Sequence, residues 1–167
     1  VAMKEVRTRG IAVQAGGHFG LFPRQLAKHF SYVWTFEAIP EMAECLKLNM
    51  QGYPNVIVRN QALGASLGQG VFATRRSGRS RLSEDGDITV EQVTIDSLNL
   101  PRCDLIYLDI EGAELAVLEG AKVTIEKFRP VIVLEVLKGG MEATQKWVDK
   151  NNYNRGGRVH NDWIFTP

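Results

Sequence analysis

Apolar residues run along this chain in two patterns that take turns. Ile11-Ala12-Val13, Tyr32 to Phe36, Val56 to Val58, Leu105 to Leu108 and Val131 to Val136 are unbroken or nearly so and have strand length, which predicts buried strands. Between them, Phe19, Phe22, Leu26, Ala27 and Phe30 recur mostly at steps of three and four, so a helix with one apolar side follows the first strand. Pro40 suits a first helical turn, and Met42, Cys45, Leu46 and Asn49 then predict the inner stripe of a second helix that Gly52 stops. Leu115, Leu118, Ala121 and Ile125 mark a third helix. Glu142 to Lys150, with Trp147 and Val148 facing in, marks a fourth.

This alternation predicts an α/β fold, a parallel sheet wrapped on both sides by helices. Three stretches depart from it. From Ser66 to Glu91 glycines at 68, 70, 78 and 86 surround a short strand, Val71 to Thr74, and the segment reads as an irregular hairpin or flap. Val90 to Ile95 alternates like a half-buried strand, and Asp96-Ser97-Leu98 is expected to cap the element after it. The tail, Tyr153 and then Trp163-Ile164-Phe165, predicts two last strands joined by a polar loop from Asn154 to Asp162.

In a parallel sheet, ligands collect beyond the carboxyl ends of the strands. Gly16, Glu37, Ala62, Asp109 and Glu135 all fall at or just past such ends. The first strand runs into Ala15-Gly16-Gly17-His18-Phe19-Gly20, a turn where missing Cβ atoms and the unpaired amides of a helix start admit a polar ligand. Glu37 follows Gly16 by 21 positions, where nucleoside-binding α/β folds place the acceptor for ribose hydroxyls; otherwise it is a solvated loop acid. Alanine stands where the tight-turn glycine of a dinucleotide fingerprint belongs, so NAD is disfavoured. The single spaced pair Gly16-x-x-x-Gly20 suits the looser loop of S-adenosylmethionine enzymes. Gln61-Ala62-Leu63-Gly64 is either a surface for a flat adenine or a plain strand end.

Composition changes this picture little. A chain of 167 residues is expected to form a single domain, 1–167, and its 44% hydrophobic and 23% charged content is that of a globular protein. A net charge of +1 points to neither nucleic acid nor membrane as a partner, and no apolar run is long enough to span a bilayer. Cys45 and Cys103 fit no metal spacing and read as buried free thiols in a reducing compartment, so a cytoplasmic location is expected. The arginines at 75, 76, 79 and 81 are either a solvated face or a clamp for a phosphate or acidic sugar. The start at Val1, with Met3 following, reads as a chain that lacks N-terminal elements.

The series VQAGGHFG, TFEAIP, QALG, VTIDSL and LIYLDIEGAELAVLEGA, followed by RPVIVLEV, resembles the FkbM-type methyltransferases from about Val13 to the end. That resemblance implies a Rossmann-like, doubly wound fold of the class I methyltransferase type: seven strands, mostly parallel, with one antiparallel strand near the C-terminus. It also implies transfer of a methyl group from S-adenosylmethionine to a hydroxyl oxygen of a small molecule or carbohydrate acceptor. By the same analogy Gly16 to Gly20, with Gly17 and His18 between them, face the methionine moiety, Glu37 takes both ribose hydroxyls, and Gln61 and Ala62 border the adenine, while Gln14, Ala15 and Ala38 complete the cofactor-binding set. Asp109 stands near the sulfonium. The family usually carries an acid where this chain has Gln14, which can hydrogen-bond but brings no charge to the cofactor's ammonium group.

Methyl transfer to oxygen needs a base for the hydroxyl proton. The candidates are Asp109, Glu111 and His160; their bland alternatives are a helix cap, a partner for a lysine and an exposed loop residue. Asp109, Glu111 and Glu135 do not by themselves make a metal site, and none is assigned. A non-catalytic nucleoside or cofactor-binding domain is the alternative from another class, motivated by Gln14 and the bare N-terminus.

Overall fold

The computed structural model describes residues 2–73, 81–82, 88–137 and 139–167. After a short 3-10 turn at Ala2–Lys4, β1 (Ile11–Ala15) is buried at all five positions. No charged residue occurs in it, and each of its backbone groups can pair with a strand on either side. It is followed by α1 (Leu21–Ala27), β2 (Tyr32–Phe36), α2 (Pro40–Asn49) and β3 (Val56–Arg59). Next come four short strands, β4 (Ala62–Leu63), β5 (Gly68–Ala73), β6 (Arg81–Leu82) and β7 (Ile88–Val93). The chain then continues through β8 (Leu105–Leu108), α3 (Glu114–Glu119), α4 (Lys122–Phe128), β9 (Val131–Glu135), α5 (Met141–Lys150), β10 (Asn154–Val159) and β11 (Asp162–Thr166).

The large sheet has seven strands in the order β10-β11-β9-β8-β1-β2-β3. β3, β2, β1, β8 and β9 run parallel, and β11 is antiparallel to both of its neighbours. This is the doubly wound, class I methyltransferase-like architecture implied by the resemblance. Side chains alternate between two cores. On one face Val13, Ile106, Leu108, Ile132 and Leu134 pack with Val117 and Leu118 of α3, Ile125 of α4 and Trp147 and Val148 of α5. On the other, Ala12, Val33, Leu105, Tyr107 and Val133 meet Leu26 of α1, Phe30 and Val6. The two halves of the winding part at β1, which lies between β2 and β8, so the crevice expected at such a switch point opens beyond Ala15.

The amino ends of β1 and β8 are tied by Asp104. Its carboxylate accepts the amides of Gly10 at 2.8 Å and Ile11 at 2.9 Å, the Thr8 hydroxyl, and the Arg102 guanidinium at 2.7 Å and 2.9 Å. Those donors hold its ionisation below the usual carboxylate range despite partial burial.

Several expectations are corrected. The inner stripe of α2 is Ala43 and Leu46, continued by Met50 at its C-terminal cap; Cys45 and Asn49 are exposed, because the helix is turned by about one position from the predicted phase. Cys45 is thus an exposed thiol, while burial of Cys103 pushes its ionisation up to about 12. Phe19 and Phe22 stand largely in solvent, and α1 is anchored by Pro23 and Leu26. The third helix is two, because Gly120 interrupts it, and there a Cβ would lie 2.2 Å from the carbonyl oxygen of Gly64. Asp96 does not cap its own neighbours: it accepts the amides of Val123 and Thr124 at 3.0 and 2.8 Å, closing the start of α4. The flap contains a second sheet, of order β4-β7-β5-β6. The polar stretch from Asn154 is itself strand β10, an exposed edge that needs no apolar residues, and the turn is confined to residues 160–161.

Candidate active site

A cavity of about 630 Å³ lies beyond the carboxyl ends of β1, β2 and β8. It is bounded by the turn Ala15 to Phe19 with Leu21 and Phe22, by Phe36 to Ile39 and Met42, by Gln61 to Ala65 in and around β4, by Phe72 and Gln92 of the small sheet, and by Asp109 to Glu111 with Ala113 and Ala116.

The turn after β1 is fixed by backbone packing. Gly16 has φ +83°, and a Cβ there would lie 2.0 Å from the carbonyl oxygen of Asp109, so the two strand ends meet with no room for a side chain. The amides of Gly16 and Gly17 both donate to the Phe36 carbonyl, at 3.1 and 3.0 Å, and the Gly20 amide donates to Gly17. These donors, expected to be unpaired, are therefore spent inside the fold, and the missing side chains at Gly16 and Gly17 let the turn pack against Asp109 and against Leu46 and Thr35. The Glu37 carboxylate is buried and accepts two amides, His18 at 2.8 Å and Ile39 at 3.0 Å. A carboxylate has about four acceptor positions, so capacity remains for two hydroxyls. Asn60 holds this corner by donating to the carbonyls of Glu37 and Ala38, at 2.9 and 3.0 Å.

The opposite wall is acidic. Asp109 directly follows β8, and the segment behind it turns sharply, with Glu111 at φ +56° and Gly112 at φ +107°. Glu114 secures the turn by accepting the amides of Ile110 and Gly112, both at 3.1 Å, and burial raises its ionisation above the usual carboxylate range. Burial also raises that of Asp109, with Asp162, Glu111 and Glu114 adding repulsion. Beside it, Glu135 at the end of β9 is pushed up to about 7 by burial and then by Asp109.

Of the residues singled out from sequence, Ala15, Gly16, Gly17, His18, Glu37, Ala38, Gln61, Ala62, Asp109 and Glu111 share this cavity. Gln14, Gly20 and His160 are not among its lining. Gln14 is fully buried within the sheet, donating to the Ala15 carbonyl at 2.9 Å and accepting the Thr35 hydroxyl. Gly20 sits against Met50 and Leu46. His160 occupies the exposed turn between β10 and β11, its carbonyl accepting from Arg158. Arg75, Arg76 and Arg79 lie outside the described residues, as does the side chain of Arg81. Sequence reasoning missed Asn60, Phe72 and Gln92. Asn60 alone left a signal, an amide side chain directly after a strand.

Among the described residues no group of three or more His, Cys, Asp or Glu is arranged to hold a metal ion, and no helix is long and apolar enough to cross a membrane.

Comparison with known proteins bears on the fold. The model of the methyltransferase FkbM domain family matches residues 14–155. The crystal structure of methyltransferase FkbM from Methylobacillus flagellatus KT superposes with a TM-score of 0.73 at 16% identity, covering 95% of this chain and 44% of that one. The chain thus spans less than half of that relative. A candidate methyltransferase from Streptococcus mutans in complex with S-adenosylhomocysteine gives 0.59 at 10% identity, over 98% of this chain and 90% of that one. TrmK of M. capricolum, also in complex with S-adenosylhomocysteine, gives 0.55 at 10% identity, over 98% and 63%. Among curated proteins nothing matches.

Proposed function

The chain belongs to the FkbM methyltransferase family, and from that premise we propose that it transfers a methyl group from S-adenosylmethionine to a hydroxyl oxygen of a small molecule or sugar. The observation that carries the reading is that Glu37, after β2, and Asp109, after β8, line one cavity on either side of the β1 end; the reading takes the first as ribose acceptor and the second as candidate base. When bound, the cofactor would supply an electrophilic methyl group on a sulfonium centre, with a neutral thioether as the leaving group.

The chain's own residues do the rest. Gly16 and Gly17 face the methionine moiety, Glu37 accepts the ribose hydroxyls with Ala38 beside it, and Gln61 and Ala62 border the base. Gln61 is oriented by donating to Glu91 at 2.8 Å. Phe36, Ile39, Met42, Leu63 and Phe72 keep the walls apolar, which strengthens every charge inside. Asp109 and Glu111 face the acceptor, and the proton leaves to a carboxylate there. Residues 1–167 act in this as one domain, in a cytoplasmic setting, with neither nucleic acid nor membrane as partner.

Calorimetry with S-adenosylmethionine, followed by transfer of a labelled methyl group to a panel of hydroxyl compounds, tests the proposal. Binding with transfer to oxygen is the expected result. Binding without transfer to any acceptor would support the non-catalytic alternative, and absence of binding would remove both.

A further inference from the structure

The ends of β8, β9 and β11 place three acids in a row. Leu108 is in register with Leu134, so Asp109 and Glu135 are the next residues on two adjacent parallel strands, and Asp162 is the register partner of Glu135. Asp162 is provided for: its Oδ2 accepts the Tyr107 hydroxyl at 3.2 Å. Glu135 is not. Its Oε2 is buried and receives no donor within the described structure, while its carboxyl lies in hydrogen-bonding reach of Asp109. Two ionised carboxylates are acceptors only, so that contact becomes a hydrogen bond when one proton lies between them.

We propose that Glu135 is a positioning residue that shares one proton with Asp109 across the ends of β8 and β9, so that the pair takes up the acceptor's hydroxyl proton. This rests on reading the cavity as a hydroxyl-methylating site, although the shared proton is measurable without any acceptor. Asp109 lines the cavity and Glu135 does not, so Asp109 is the member that meets the substrate. In the step, the acceptor's O–H bond breaks and its proton passes to the dianionic pair. The electron pair left on oxygen forms the new O–C bond, while the electrons of the breaking C–S bond go to sulfur. The pair, now a monoanion, returns the proton to water.

The groups that press on Glu135 are acidic: Asp109 from β8, Glu111 and Glu114 from the segment after it, and Asp162 from β11, with the Tyr107 hydroxyl engaged on Asp162. Such a set favours holding a proton, and the pair titrates as a unit. A pair that exchanges its proton near neutrality is a base suited to neutral pH.

Carboxyl-labelled carbon-13 NMR on the full cofactor-free chain tests this. The wild type is expected to titrate in two coupled steps, with Glu135 dominating one near pH 7. In Asp109→Asn the Glu135 step is expected to fall by about one pH unit or more, and in Glu135→Gln Asp109 is expected to give a single step at lower pH. A wild-type Glu135 titrating in the ordinary carboxylate range, or one unmoved by Asp109→Asn, would overturn the proposal. If a variant does not fold, the wild-type curve decides.

On any acceptor the wild type methylates, kcat is expected to rise through about pH 7. Glu135→Gln should flatten that limb and lower kcat by about 10- to 100-fold with cofactor affinity unchanged. An unmoved limb overturns the catalytic role. Failure to methylate any hydroxyl compound sinks the hydroxyl reading instead, and the carboxyl titration then still decides whether the proton is shared.

Discussion

The carboxylate of Glu37 accepts the backbone N–H of His18 at 2.8 Å, bridging the end of β2 to the turn after β1. The same carboxylate takes the Ile39 amide, so one side chain sets the cavity wall and the entry to α2. Glu37→Ala leaves two amides without an acceptor and is expected to cost about 1–3 kcal/mol of stability. It should also weaken S-adenosylmethionine binding by at least about 10-fold, one lost hydrogen-bonding group being worth that much. Glu37→Gln keeps one oxygen acceptor and should fall between. Calorimetry and urea midpoints read the two effects separately, and unchanged affinity in a folded Glu37→Ala protein would exclude the ribose role.

Gly16 meets the Asp109 carbonyl where a Cβ would lie 2.0 Å away, at φ +83°. Gly16→Ala is therefore expected to destabilise by about 2 kcal/mol or more, combining left-handed strain with displacement of a strand end. Gly52 has nothing within 4 Å of the equivalent point. Gly52→Ala should change stability by no more than about 0.5 kcal/mol. Denaturant unfolding of the two variants makes the comparison.

Gln14→Glu would place here the acid that the sequence resemblance leads one to expect, yet the side chain is sealed between Ala15 and Thr35. A carboxylate there loses the donor to the Ala15 carbonyl and must ionise in the core or carry a proton. The expected result is a loss of about 2–4 kcal/mol with no gain in cofactor affinity. Tighter binding by a stable Gln14→Glu protein would show that the side chain reaches the ligand.

The Glu135 carboxyl holds its proton more tightly in the fold, to about 7, than its ordinary value of 4.5. A carboxyl with a raised native value binds more protons folded than unfolded, so its contribution is complete below about 4.5 and is lost as pH rises through about 7. The thermal midpoint should fall over that window, and Glu135→Gln should flatten the slope. A midpoint that rises across the window in the wild type, and equally in the variant, would contradict it.

The central sheet was legible because its strands are buried on both faces and carry unbroken apolar runs, as in Leu105 to Leu108 and Val131 to Glu135. The Gly16 turn and Glu37 were legible because a switch point puts a glycine and an acid at fixed separation. Less legible was whatever depends on contacts remote in sequence. Asp104 binds Thr8 across 96 positions, and Asp96 caps a helix 28 positions on, so neither acid announces its partner locally. The phase of α2 misled because Met42, Cys45 and Leu46 are apolar enough to imitate a stripe that belongs to Ala43, Leu46 and Met50. β10 escaped because an outer strand in water is spelled like a loop.

Where Gly120 comes up against Gly64, main chain touches main chain, and the roof of the chamber is bolted to α3 with no compressible side chain between them. Floor and ceiling on that side behave as one girder. A bulkier guest meets least packing at the other bank, where Phe19, Leu21 and Phe22 line the cavity and are exposed, Phe22 alone resting on the ring of Tyr107. Redesign of this protein for new acceptors is best begun at those three positions, leaving the glycine joint alone.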